Sequence, residues 1–165
     1  MITVVIATRN RPKSLKNILL CLENQSLKPS EVIIVDSSLV SNRLNHADLL
    51  NYNFKIKYLN TKIGSAAKQR NMGLENVSKE TSNLFILDDD VEISVDYIAK
   101  LSETLKNYEA IGVSGIAINE KFKKPKNNLS ILKKLFFLDS PNEGVITKGG
   151  INIPIDRKST RLNSS

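Results

Sequence analysis

Apolar and polar residues follow two different periods along the first hundred residues of the chain. Short apolar runs cover residues 2–7, 31–36 and 84–87, and a run of alternating residues covers 55–59. Short apolar runs bounded by polar residues favour strands that are covered on both faces, whereas alternation favours a strand at an exposed edge. The pattern predicts four strands, of which the third in sequence lies at an edge.

Helical spacing separates these strands. Pro12 suits a first helical turn, where its missing N–H has no partner, and Ser94 is a good N-cap for a later helix. A middle helix is predicted from Gly64 to about Val77. The apolar residues expected to pack are Leu15, Ile18, Leu19 and Leu22, then Ala66, Ala67, Leu74 and Val77, then Val95, Ile98, Leu101 and Leu105. A further strand is predicted over residues 111–118.

Strands that alternate with helices predict an α/β fold with a mainly parallel sheet and right-handed crossovers. In such sheets ligands bind at the carboxyl ends of the strands, where the strand order reverses. With the order 3-2-1-4, residues 8–11 would lie beside residues 88–90, and Asp36 would lie one strand further along. Basic and acidic groups would then meet in one crevice, which suits a diphosphate.

The fourth strand ends in three consecutive carboxylates, Asp88, Asp89 and Asp90. Adjacent carboxylates repel, so a fold that keeps them together needs a cation or N–H donors nearby. In an extended chain Asp88 and Asp90 point the same way and offer two hard oxygen ligands for Mg²⁺ or Mn²⁺. The alternative is a solvated acidic turn that caps the helix after Ser94.

A second polar group interrupts the helix predicted after Gly64. Arg70 and Asn71 fall among its packing residues in the helical projection. Buried polar groups need partners. The pair either caps a neighbouring loop or faces a ligand at the edge of the sheet.

The composition limits the kinds of partner that are expected. The 165 residues carry a net charge of +7, with much of the excess at residues 121–134 and 157–161, which suits an anionic partner. Aromatic residues make up 5% and Trp is absent, so a base-stacking platform is not indicated and nucleic acid is not the expected partner. A single cysteine, no signal-peptide pattern and no apolar run of bilayer length favour a cytoplasmic protein.

Residues 121–138 are basic and then apolar at helical spacing. A basic amphipathic helix can lie on an anionic membrane, which would make the protein peripheral at the inner face of the membrane. The alternative is an ordinary helix that packs on the sheet with its lysines in solvent.

Four segments in this order resemble the family 2 glycosyltransferases with a GT-A fold. They are VVIATRNR at 4–11, VIIVDSS at 32–38, GSAAKQRNMG at 64–73 and LDDD at 87–90. The resemblance extends to about residue 155. It implies a Rossmann-like GT-A domain that transfers a sugar, with inversion, from a nucleotide-diphosphate donor to a sugar, lipid-linked or protein acceptor, as in polysaccharide biosynthesis.

The resemblance also implies roles for individual residues. The expected nucleotide-sugar-binding residues are Thr8, Arg9, Arg11, Asp36, Arg70, Asp88 and Asp89, and the metal ligands of the DXD-type motif are Asp88 and Asp90. The family's acidic catalytic base follows a glycine-rich segment like GGINIPI at 149–155. Asp156 follows that segment too closely to match, so no catalytic base is assigned.

The predicted domain covers residues 1–156, is expected to be incomplete at its C-terminus, and is followed by a non-native or disordered tail at 157–165. A non-catalytic nucleotide-sugar-binding module is the main alternative function. Nucleic-acid binding through the basic face is another. A phosphate-receiving regulator is disfavoured because residues 8–11 provide no acidic pair after the first strand.

Overall fold

Four strands form a parallel sheet in the computed structural model, which describes residues 1–115. The strands are β1 (Ile2–Thr8), β2 (Glu31–Asp36), β3 (Lys55–Asn60) and β4 (Asn83–Asp88). The helices are α1 (Pro12–Glu23), α2 (His46–Leu49), α3 (Ala66–Glu75) and α4 (Tyr97–Asn107), with a short 3₁₀ helix at Val40–Asn42. The sheet order is β3-β2-β1-β4, which confirms the predicted α/β class and strand order.

The register aligns the carboxyl ends of three strands. Thr8 pairs with Asp36 across β1 and β2, and Ala7 pairs with Asp88 across β1 and β4. The polar residues that end these strands therefore meet at one edge of the sheet, where the order reverses. This is the position at which ligands bind in open α/β sheets.

The two faces of the sheet carry separate apolar cores. Val4 and Ile6 of β1 point into the larger core, which α1 and α4 complete through buried residues such as Leu19 and Ile98. Val5 points to the other face, where the core includes Ile33, Val35 and the partly buried Met72 and Val77. Successive residues of a strand face opposite sides of the sheet, so β1 is buried on both faces. The strand β3 at the edge is only partly buried, as its alternating pattern predicted.

The packing face of α3 differs from the prediction. Ala66 and Ala67 are exposed and Leu74 is 37% exposed, whereas Gln69 and Gly73 are buried. Gly73 lies so close to β1 that a Cβ there would overlap Cγ1 of Val5. The helix contacts the sheet through a glycine and a glutamine. Because Gly73 has no side chain, the helix can lie close to β1, and the apolar pattern of the sequence does not reveal this.

Further predictions need correction. The helix after β4 begins at Tyr97 with Asp96 as its N-cap, so Ser94 is not the N-cap, and Val95 is 59% exposed outside the helix. Within residues 1–115 one face of the strand β4 is left open, since Leu84 and Ile86 are 40% and 47% exposed. Residues 111–115 are not in a strand.

Several predictions lie outside the described residues. They are the remainder of the strand at 116–118, the amphipathic helix at 121–138, the glycine-rich segment at 149–155 and the tail at 157–165. Within residues 1–115, no helix has both the length and the apolar character needed to cross a bilayer.

Candidate functional site

A cleft of about 430 Å³ opens at the carboxyl ends of β1 and β4, beside the first turn of α3. Its walls combine three arginines with three aspartates. The lining residues are Ala7, Thr8, Arg9, Arg11, Gly64, Ala66, Gln69, Arg70, Asp88, Asp89 and Asp90. The structure thus brings together all the predicted site residues except Asp36.

Asp89 lies at the buried base of the cleft. Its Oδ2 accepts a hydrogen bond of 2.7 Å from Thr8 Oγ1, and its Oδ1 accepts one of 3.2 Å from Arg11 Nη1. The residue is 5% exposed, and a buried carboxylate needs such charge-assisted partners. Asp89 therefore fixes Thr8 and Arg11 with respect to the end of β4.

Asp88 and Asp90 are more open to solvent. Asp90 accepts a hydrogen bond of 2.7 Å from Arg11 Nη1, and Asp88 forms an ion pair with Arg70. The two aspartate side chains are 56% and 55% exposed. Asp89, followed by Asp90, raises the pKa of the Arg11 guanidinium above its ordinary value. Two arginines thus place positive charge beside the three adjacent carboxylates.

The backbone around these carboxylates corrects two expectations. β4 ends at Asp88, and Asp89 and Asp90 form a turn, so the chain is not extended through all three residues. The carboxylates also do not cap the following helix, since its N-cap is Asp96. Asp88 and Asp90 line the cleft all the same, because the turn leaves both side chains on its wall.

Arg9 closes the cleft against the segment that leads into α3. Its guanidinium packs on Gly64, where a Cβ would overlap the arginine side chain. Gly64 therefore gives Arg9 the space to lie along the wall of the cleft. Nothing in the spacing of the sequence indicated this contact.

Asp36 does not line the cleft and is almost completely buried at 1% exposure. Its Oδ1 accepts a hydrogen bond of 2.6 Å from the backbone N–H of Ser38, and its Oδ2 accepts one from the Tyr58 hydroxyl. Burial, together with this bond to Asp36, raises the pKa of Tyr58. Asp36 is thus held at the end of β2 by its own loop and by β3.

Sequence reasoning missed Gln69, which is 4% exposed. Its Nε2 donates hydrogen bonds of 2.8 Å to the carbonyl oxygens of Thr8 and Val35. These bonds tie α3 to the ends of β1 and β2. The sequence predicted polar residues on the packing face of α3 at Arg70 and Asn71. A polar residue does lie on that face, but it is Gln69. Arg70 itself faces the cleft, as the ligand-facing alternative predicted, and Asn71 is exposed.

The donor set of the cleft fits a hard divalent cation that is shared with a ligand. Within residues 1–115, no group of three or more His, Cys, Asp or Glu side chains is arranged to hold a metal ion. Asp88 and Asp90 nevertheless present two half-exposed carboxylates to the cleft. Mg²⁺ is commonly held in proteins by one or two carboxylates, several waters and the phosphates of a substrate. Two half-exposed carboxylates on the wall of the cleft meet that requirement.

An open parallel sheet with a polar cleft at its switch point defines a Rossmann-like α/β protein. The model of the family described as "Glycosyl transferase family 2" matches residues 3–161. The chain therefore belongs to glycosyl transferase family 2. No curated protein sequence matches it at a significant level.

Solved structures of TarS from S. aureus share the fold. TarS 1–349 is 18% identical over 70% of this chain and 38% of that chain, with a TM-score of 0.58. Its complex with UDP is 19% identical over 72% and 38%, with a TM-score of 0.55. Its complex with UDP-GlcNAc is 20% identical over 72% and 37%, with a TM-score of 0.58. At these identities the similarity supports the fold alone, and it confirms the predicted GT-A class. The chain spans well under half of the length of each of these TarS chains.

Proposed function

We propose that the cleft binds a nucleotide-diphosphate sugar and that the protein transfers the sugar to an acceptor with inversion at the anomeric carbon. The observation that carries this proposal is the meeting of Arg9, Arg11 and Arg70 with Asp88 and Asp90 in one cleft at the switch point of the sheet. Membership of glycosyl transferase family 2 supports the reaction class. The complexes of TarS with UDP and UDP-GlcNAc make uridine nucleotides the first donors to test.

The arginines are suited to the diphosphate. Guanidinium groups form charge-assisted and often bidentate hydrogen bonds with phosphate oxygens. Arg11 and Arg70 are paired with Asp90 and Asp88, so both guanidinium groups lie at the wall where the diphosphate would bind. We assign Thr8 and Asp89 to the base of this site, where the buried Asp89 orients Arg11. Asp36, which was predicted to bind the nucleotide sugar, would act at the end of the adjacent strand.

We assign a divalent cation, Mn²⁺ or Mg²⁺, to Asp88 and Asp90 together with the donor diphosphate. When bound, the cation would stabilise negative charge on the leaving diphosphate. The arginines would donate hydrogen bonds to the same developing charge. In the reaction the acceptor oxygen forms a bond to the anomeric carbon as the bond to the phosphate oxygen breaks, and the bonding electrons pass to the nucleotide diphosphate. A base must take the proton of the acceptor hydroxyl, and we assign none within residues 1–115.

The acceptor is proposed to be a sugar, a lipid-linked group or a protein, and the reaction is proposed to take place in the cytoplasm or at the inner face of the membrane. Residues 121–138 are the proposed membrane contact. Sedimentation with vesicles that contain anionic lipid tests this contact, because a basic helix should bind them and should release them at high salt.

Calorimetric titration of UDP and TDP, with and without Mn²⁺, tests the donor site. Metal-dependent binding is expected for the wild-type chain, and Asp90→Ala should weaken it at least about tenfold because one of two carboxylates is lost. Asp48→Ala is the matched control, since Asp48 is an acidic residue of α2 that pairs with Lys16 on the surface. Absence of binding in a sample with the circular dichroism of a folded α/β protein would contradict the proposal.

A transfer assay separates the enzyme from a non-catalytic binding module on the same fold. Release of UDP from UDP-GlcNAc that depends on an added acceptor supports transfer. Binding of UDP-GlcNAc without acceptor-dependent release across a panel of acceptors would favour the binding module.

A further inference from the structure

The loops that follow β1 and β2 are joined at Asn10. The backbone N–H of Asn10 donates a hydrogen bond of 2.6 Å to Ser38 Oγ. The side-chain Oδ1 of Asn10 accepts bonds of 3.2 Å from the backbone N–H of Leu39 and from Nδ2 of Asn42. One residue of the first loop therefore holds three groups of the second.

Asn10 also has an unusual backbone conformation, with φ of 55°. This left-handed region is disfavoured for most residues, and asparagine is among the few that adopt it readily. Asn10 stands between Arg9 and Arg11, which both line the cleft, although Asn10 itself does not. Its conformation sets the directions in which the two arginine side chains leave the backbone.

Ser38 extends the connection to Asp36. Ser38 is 5% exposed, its hydroxyl is the acceptor for Asn10, and its backbone N–H donates to Asp36 Oδ1 at 2.6 Å. Its carbonyl oxygen also accepts a bond of 3.1 Å from Arg43 Nε. A continuous path of hydrogen bonds therefore runs from the carboxylate at the end of β2 to the backbone between the two arginines.

We propose that Asn10 is a positioning residue that holds Arg9 and Arg11 toward the donor diphosphate and links their position to the loop that carries Asp36. The proposal rests on the nucleotide-binding function proposed above. Long arginine side chains on a free loop would lose conformational entropy when the nucleotide binds. A loop fixed in advance by Asn10 and Ser38 has already lost part of that freedom, which favours tighter binding.

Three variants separate the features of Asn10 and Ser38. Asn10→Gly tolerates the left-handed backbone but removes the acceptor Oδ1. Asn10→Asp keeps both an acceptor oxygen and tolerance of that backbone, and Ser38→Ala removes the hydroxyl alone. Asn51→Gly is the control for added flexibility in an exposed connection, since Asn51 lies between α2 and β3.

Two measurements are made on the full chain. The first is the heteronuclear NOE of the Arg11 side-chain nitrogen in the nucleotide-free protein, with the signal assigned through Arg11→Lys. The second is the calorimetric affinity for UDP in the presence of Mn²⁺. Asn10→Gly is expected to make the Arg11 side chain mobile and to weaken UDP binding about tenfold, as the loss of two ordinary hydrogen bonds implies. Asn10→Asp should restore the order of Arg11, and Asn51→Gly should change neither quantity.

An Arg11 side chain that stays ordered in Asn10→Gly overturns the proposal, whatever happens to UDP affinity. Failure of the wild-type chain to bind UDP would refute the proposed function, and the order of Arg11 in the variants would still decide the role of Asn10. Should Asn10→Gly not fold, Ser38→Ala is measured in the same two ways, and an unchanged Arg11 in that variant is the overturning result.

Discussion

Arg11 Nη1 lies 2.7 Å from Asp90 Oδ2, in an ion pair whose two side chains are 55% and 56% exposed. The same nitrogen lies 3.2 Å from Asp89 Oδ1. The chain therefore places its own positive charge on the carboxylate that we propose as a metal ligand. A divalent cation and Arg11 would compete for one oxygen of Asp90, unless a diphosphate draws the guanidinium away.

Arg11→Ala is expected to have opposite effects on the two ligands. Without nucleotide, Mn²⁺ should bind about two- to fivefold more tightly, because an exposed ion pair no longer has to be broken. UDP should bind more weakly, by about tenfold or more, because a charge-assisted hydrogen bond to phosphate is lost. Titration of Mn²⁺ followed by electron paramagnetic resonance measures the first effect, and calorimetry measures the second.

Lys106→Ala provides the matched control for the loss of one positive charge. Lys106 lies in the last turn of α4 and not on the wall of the cleft, so its removal should change neither affinity appreciably. Equal Mn²⁺ affinity in the wild type and in Arg11→Ala would show that Arg11 and the cation do not share Asp90.

The positions of the strands could be predicted because their signal is local. The apolar runs at 2–7 and 31–36 can be buried only as central strands, and the alternating run at 55–59 lies at an edge, as the structure shows. Once β1 and β4 are neighbours, residues 8–11 and 88–90 must meet, because parallel strands end at the same edge of the sheet. Most of the candidate site follows from that one topological step.

The residues that the sequence did not reveal act through contacts between distant segments. Gln69 reaches the carbonyl oxygens of two strands, and Asn10 reaches a loop 28 residues away. At positions 64 and 73 a side chain would overlap Arg9 and Val5 respectively, so glycine is the residue that fits. Neither spacing nor propensity encodes such contacts, since each depends on where a second segment lies in three dimensions. The sequence places Asp36 at the end of a strand. Its hydrogen bond from the Tyr58 hydroxyl could not be predicted, because it depends on the pairing of β2 with β3.

Replacement of Gln69 tests the connection between α3 and the sheet. Gln69→Leu keeps the approximate volume but removes the donor to Thr8 and Val35. The carbonyl oxygen of Thr8 retains the backbone N–H of Ser37 at 3.1 Å, so the expected loss is about 1–2 kcal/mol in the free energy of unfolding. Urea denaturation measures it. Lys68→Ala, at the exposed preceding position, should stay within about 0.5 kcal/mol of the wild type.

Replacement of Gly73 tests the close approach of α3 to β1. Alanine is a better helix former than glycine by about 1 kcal/mol, which alone would stabilise Gly73→Ala. The new Cβ would overlap Cγ1 of the fully buried Val5, and overpacking in a core costs about 1–3 kcal/mol. We expect the steric cost to exceed the gain, so that Gly73→Ala lowers the free energy of unfolding.

The double variant with Val5→Ala distinguishes steric overlap from other causes. Removal of Cγ1 gives the new methyl group space, so the double variant should be more stable than the sum of the two single effects by about 1 kcal/mol or more. Strict additivity in the double-mutant cycle would mean that Val5 does not limit residue 73.

We expect the protein to lose folding stability in acid because of the carboxylate of Glu23 at the end of α1. It accepts hydrogen bonds of 2.6 Å from Lys28 Nζ and 2.8 Å from the backbone N–H of Asn53, and these partners lower its pKa from 4.5 to about 2. Between those two values the unfolded chain binds a proton that the folded chain does not, so the stabilisation from Glu23 is present above pH 4.5 and falls as the pH falls toward 2. Urea unfolding of the wild type and Glu23→Gln at several pH values should show the largest difference near neutral pH and a steadily smaller one from pH 4.5 downward.

Glu75→Gln, at the exposed end of α3, controls for the general effect of removing one negative charge. A difference between the wild type and Glu23→Gln that stays constant from pH 7 to pH 3 would show that ionisation of Glu23 does not contribute to the folding free energy.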